Sequence, residues 1–254
     1  MALNLPGIKN PIFQHSKEVS TGMGKERLTG EIIVSKDGSG DFDKIQDAIN
    51  SALTTGRTIR IRNGIYDEDL ILKSNIILKG DGWGTQIIIR GYTGIEMSGM
   101  SEIEIKDLKI TITATTSDDG IHIDINNSNK ITFNNVFFEV NNTNSSEGIM
   151  WTSGGGTSTD LRILNCKGEN TGTGNCSRFF YSEIDFCLFQ NNYFKNWQVN
   201  ATDAHIDHSI INKNFLSSIY FMAGSDNNVA VGNCLDSAVT NLGTGNQVAN
   251  NSIF

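Results

Sequence analysis

The sequence predicts an all-β fold, a right-handed parallel β-helix (solenoid) with one capping α-helix, and three observations carry that expectation. The 29 asparagines are unevenly placed, with 5 in residues 1–125 and 24 in the last 129. In that second half short alternating strands recur about every twenty residues, broken by turn residues and without a helical period. Gly (26 of 254 residues) and Asn are the enriched types, and both are poor helix formers and good turn formers. Repeats of about 20 residues holding two or three short strands have few solutions. A leucine-rich repeat would show Leu at fixed positions, and a propeller blade takes about 40 residues. A parallel β-helix remains, its coils stacked at roughly 4.8 Å and each touching only its neighbours.

The elements follow in chain order. Residues 1–29 have no strong period and read as an N-terminal arm or attachment segment, and residues 30–254 as the β-helix domain. Glu31 to Ser35 is a short apolar strand, and Lys36 to Asp41 a turn cluster with Asp41 placed to cap a helix. Phe42, Ile45, Ala48, Ile49, Ala52 and Leu53 recur at helical spacing, which predicts one amphipathic helix over 42–53. Short β-rich segments follow at 58–61, 69–72, 76–79 and 86–89. The repeating strands then run over 102–112, 130–140, 161–170, 186–196, 209–216, 229–235 and 247–254. Between them lie second short strands at 120–125, 148–152, 178–181, 218–222 and 238–242. Asn192, Asn214, Asn233 and Asn251 align at spacings of 22, 19 and 18, which places one amide above another and predicts a hydrogen-bonded ladder. The Asn-x-Ser/Thr matches at Asn126 and Asn200 read as products of Asn richness.

Charge and composition exclude several classes. With 20 Lys+Arg against 28 Asp+Glu the net charge is −8, and no basic stripe exists to replace phosphate counterions, so nucleic acid is not expected as a partner. No apolar run reaches the length of a membrane span. The first twenty residues lack a basic flank before a continuous apolar stretch, so no secretion signal is expected and the protein reads as made in the cytoplasm. Cys166, Cys176, Cys187 and Cys234 show neither metal spacing nor a dense framework, and are expected as buried free thiols with no metal.

VSKDGSGDFDKIQDAINSAL, IRNGIYDEDLIL and SNIILKGDGWGTQIII, in that order, resemble the opening of the pectate-lyase-like superfamily, especially pectin methylesterases and phage tailspike proteins. The likeness is specific over residues 31–90 and architectural beyond. It implies a helix that plugs the N-terminal end of the core, and a polysaccharide as ligand. The tailspike type implies a homotrimer, or attachment to other particle proteins, on a virion or similar particle. The C-terminal coil, ending at Phe254, reads as an apolar end that a partner would cover. Two alternatives stand beside this one. The first is a non-catalytic structural or adhesin component, and the second a free lyase, hydrolase or epimerase acting on acidic sugars. Against the second, residues 205–254 contain a single Lys, Lys213, and no Arg.

Two constellations could carry chemistry. Ser117 to Asp124 resembles the aspartate-rich segment of polygalacturonases, without their Gly-His-Gly and Arg-x-Lys motifs. Alternation points Ile121, Ile123 and Ile125 inward, leaving His122 and Asp124 outside with Asp119 nearby, as either a solvated face or a saccharide contact. Ser182 to Phe186 resembles the valine-aspartate-phenylalanine motif of pectin methylesterases, but the Gln-Asp-Thr segment before it and the Phe-Gly after it are absent. Sliding by the repeat puts Glu183 over His205, Asp185 over Asp207, and Asp226 one coil further. Carboxylates stacked so closely repel, so one is expected to hold a proton, or the set to bind a cation such as calcium; hydrated turn residues are the plain alternative. If the protein cleaves a glycan, the acid/base work falls to Asp207 with Asp185 or Glu183, and His205 stands beside them. Trp151, Tyr181, Trp197 and Tyr220 are available as sugar-stacking platforms or as core.

Overall fold

The computed structural model describes residues 30–52, 57–90, 93–113, 123–141, 150–151, 156–171, 183–195, 197–200 and 205–254. The arm at 1–29, together with Asp119, His122, Cys176 and Tyr181, lies outside them. All pairings between strands are parallel, in one large curled sheet and two smaller ones along the side of the solenoid. Ten inward residues stack in unbroken register: Ile32, Ile59, Leu78, Ile105, Phe133, Ile163, Phe189, Ile211, Ala230 and Val248. The described residues thus form a parallel β-helix of ten coils, seven of them after residue 95. The strands at 101–112 and 129–140 are the longest, and in the last coils each strand shrinks to two to four residues.

From the third coil on, the chain bends at a first corner where one residue has a positive φ, and from the fourth coil on at a second. The first corner holds Asn75, Glu102, Lys130, Asp160, Phe186, His208, Asn227 and Gly245. The second holds Asp107, Asn135, Asn165, Asn191, Lys213, Gly232 and Asn250. Asn and Gly recur because they enter this conformation at least cost. After the second corner comes the expected ladder. Asn192, Asn214 and Asn233 each donate backbone N–H and Nδ2 to Oδ1 of the next Asn at 2.9–3.0 Å, and their Nδ2 groups also reach Ile163, Phe189 and Ile211 carbonyls of the preceding coil. Every polar atom of these buried amides therefore has a partner. A second ladder, not expected from the sequence, follows the first corner. Cys187 N–H donates to Ser209 Oγ, Ser209 N–H to Asn228 Oδ1, and Asn228 N–H to Asn246 Oδ1, all at 2.8–2.9 Å. Cys166 and Cys187 head the two ladders as buried free thiols, their ionisation pushed up by burial, for Cys166 to about 12. Cys234 is also free, and half-buried.

Three local expectations are corrected. The helix is shorter than 42–53, running Ile45–Ser51, because Phe42 pairs with Val34 as an isolated bridge. Asp41 does not cap it: its Oδ2 accepts from Ile33 N–H at 2.8 Å, while Glu68, from the next coil, accepts from Ile45 and Gln46 N–H at 3.2 Å. Ile45, Ala48 and Ile49 face the core and close its N-terminal end. Trp197 is no sugar platform, being 1% exposed and stacked on Phe194 at 4.9 Å. The space for both rings comes from Gly168, where a Cβ would collide with Phe194 and Trp197.

Candidate functional site

One strip of the solenoid is a four-stranded parallel sheet of Leu70–Ile71, Ile95–Glu96, Ile123–Asp124 and Met150–Trp151. Its register aligns Ile71, Glu96, Asp124 and Trp151 on four successive coils. Ile95, Met97, Ile123 and Ile125 fill the core, so alternation turns Glu96 and Asp124 to the outer side. Asp124 does not form the solvated face that alternation left open; it is 9% exposed. Its Oδ1 accepts Asn126 N–H at 2.9 Å, yet burial outweighs that bond and pushes the carboxyl above the usual carboxylate range. Beside it Asn126 Oδ1 is buried with no hydrogen-bond partner. Half-buried Glu96 stands one coil away, in register with Asp124. Glu96 was not singled out in the sequence; the faint signal is Ile95-x-Met97 alternation beneath an acidic residue.

The corner with Asp185 behaves otherwise. Asp185 and Asp207 pair in register as expected, and Ile184 N–H bonds the His205 carbonyl, which sets Glu183 beside exposed His205. Asp207 Oδ1 accepts Asp226 N–H at 2.6 Å, and Asp226 Oδ1 accepts both N–H and Oγ1 of Thr244 at 2.7 and 2.8 Å. The Thr244 backbone and hydroxyl donors hold the Asp226 carboxyl below its ordinary range. Asp226 is thus a turn-closing carboxylate tied to the next coil through Thr244. Asp185 Oδ1 lies 2.9 Å from His208 Nδ1, and the Phe186 ring stacks on that imidazole at 5.2 Å and 20°. His208 belongs to the same Thr202–His208 segment as Asp207 and His205, but the sequence alone assigned it no role of its own. Glu183 Oε2 accepts from Thr157 Oγ1 at 2.9 Å. Among the described residues no three His, Cys, Asp or Glu side chains converge as a metal would require, and no helix is long and apolar enough to cross a membrane.

The stacked coils and helical plug define a parallel β-helix protein of the pectate-lyase-like superfamily. Within it the chain belongs to the pectinesterase family, whose sequence pattern it matches over residues 31–168, more than half of its length. Probable pectinesterase/pectinesterase inhibitor 17 of Arabidopsis thaliana is 48% identical over 58 residues, 22% of this chain and 11% of that protein. Pectinesterase 5 of the same plant is 42% identical over 94 residues, 32% of this chain and 16% of that protein. The chain thus spans a small part of the length of these relatives. Among solved structures, carrot pectin methylesterase is 15% identical, covering 86% of this chain and 88% of its own, with a TM-score of 0.43. The ORF18 protein of Geobacillus virus E2 is 16% identical, covering 88% and 60%, with a TM-score of 0.48.

Proposed function

We propose that this protein binds a polysaccharide along the strip of sheet bearing Glu96, Asp124 and Trp151, and cleaves it with Asp124 as general acid. The observation that carries this reading is the burial of Asp124, which favours the protonated form a leaving oxygen needs. Backbones one coil apart stand at roughly 4.8 Å, a spacing that suits the shorter carboxylate separation of retaining glycosidases, about 5–5.5 Å. Asp124 then protonates the glycosidic oxygen while Glu96 attacks the sugar carbon; water, deprotonated by Asp124, releases the sugar. Family membership supports a polysaccharide as ligand. Carriage on a virion or similar particle as a homotrimer belongs to the same reading.

A second reading keeps the chemistry at the corner. It is favoured by the Asp185–His208 pair, which holds the imidazole by Nδ1 and leaves Nε2 as a base, with Asp207, Glu183 and His205 alongside. A glycan array with the purified protein, followed by product analysis on each hit, decides between them. The first reading expects Asp124→Asn to retain binding and lose product, with Asp207→Asn unaffected. The opposite pattern moves the chemistry to the corner, and turnover on no glycan defeats both.

A further inference from the structure

The same outward columns change character along the solenoid. In the first six coils they carry Glu31, Glu104 and Arg162 in one column, Arg60, Lys79 and Lys106 in the next, and Lys109 and Lys167 beyond the second corner. In the last four coils the first column is Leu188, Ile210, Val229 and Gln247, and the second is Gln190, Asn212, Val231 and Ala249. Past the corner come Tyr193, Phe215, Cys234 and Ser252. With the corner residues themselves these are sixteen positions, four columns by four coils, and they hold one charge, Lys213. Ile210 is 43% and Tyr193 44% exposed, and Tyr193 stacks on Phe215 at 4.8 Å, so the rings cover each other's faces and leave edges outward.

We infer that this uncharged corner of the last four coils is a contact surface for a second copy of the chain. Three features select that occupant. The surface is ruled at the coil repeat, so a rigid partner with the same repeat, another copy of this solenoid, can seat its ridges along the whole length. In a chain of net charge −8, a face without acidic groups lets two copies meet with no like charges in contact, and none stands in these columns although Asp185, Asp207 and Asp226 lie on the far side of the first corner. The rings turn edges outward, which offers poor stacking to a sugar and good packing to another apolar ridge. The inference rests on the assembled form of the proposed function and supplies its contact.

Sedimentation equilibrium of the full chain tests it. The wild type is expected to associate reversibly. Ile210→Glu, which sets carboxylates opposite each other, should weaken association on the order of a hundredfold, and Val229→Lys should act in the same direction. Thr132→Glu, in the same column on a coil outside the patch, should leave association unchanged. Should both patch variants misfold by circular dichroism, hydroxyl-radical footprinting of the wild type decides, with Tyr193 and Phe215 becoming protected as concentration rises. A wild type that stays at 27.8 kDa at every concentration, association indifferent to both variants, or footprints that ignore concentration overturn the inference. So does a monomer whose glycan retention is lost in Ile210→Glu, since the face then belongs to the glycan. Product release by the wild type keeps the readings apart: a monomer that cleaves glycan defeats this interface and the assembled form but leaves the proposed chemistry standing, and an oligomer without turnover defeats only the proposed chemistry.

Discussion

Glu96 and Asp124 stack on one strip of sheet, Asp185 and Asp207 at one corner with Asp226 beyond, and in both places the residues stand on successive coils. Asp124 nevertheless holds its proton more tightly than an ordinary Asp, and Asp226 less tightly. Asp124 is buried with a single backbone donor, whereas Asp226 is only half-buried and receives two donors from Thr244. Coil stacking by itself therefore does not set proton affinity; what reaches each oxygen does. The same contrast sorts possible roles, since a general acid needs the first environment and a turn-closing carboxylate the second.

The largest effect that would break this comparison is on turnover. Asp124→Asn should lower glycan cleavage about 10²- to 10⁴-fold, and the pH profile of the wild type should lose activity as pH rises through the elevated Asp124 value. Next in size is stability. Asn214→Ala strips the acceptor from Asn192 N–H and Nδ2, the donor from the Phe189 carbonyl, and one of two donors from Asn233 Oδ1. Leaving several buried polar groups unpaired should cost about 3 kcal/mol in denaturant unfolding. A loss below half of that would show that water replaces the amide.

Two smaller effects sharpen the contrast through pH. The folded value of Asp124 lies above its ordinary 3.8. Its contribution to stability is thus fully present below pH 3.8 and lost as pH rises through the folded value. Asp124→Asn should accordingly melt higher than wild type at neutral pH, the gap closing toward pH 3.8. Asp226 is depressed below 3.8, so its contribution is present above 3.8 and fades as pH falls through the folded value. Asp226→Ala should therefore narrow its melting deficit in acid, by a small amount because water screens a half-buried group. Melting curves that shift in parallel across pH for both variants would contradict the assignment of either environment.

Much of the architecture was legible because the coil repeat is short and asparagine marks it. The Asn192 ladder could be aligned by spacing alone, and so could the Asp185–Asp207 register. The second ladder was not visible because Cys187 and Ser209 occupy its first rungs, and a pattern sought as Asn does not find them. The helix cap was misread for a related reason: Asp41 has the right type and place, but the donor it serves is Ile33 N–H, and the true acceptor, Glu68, sits 23 residues from Ile45 on the next coil. The sequence placed Asp124 on the outer side, but its burial depends on what packs over that side, which alternation does not encode. Glu96 was passed over because its strand is only two residues long.

Carbon-detected NMR titration of the side-chain carboxyls of Asp124 and Asp226 in the folded protein tests the central claim most directly. The account predicts a midpoint above 3.8 for Asp124 and below 3.8 for Asp226. An Asp124 midpoint at or below 3.8 would contradict it, because the group proposed as acid would then be an ordinary carboxylate.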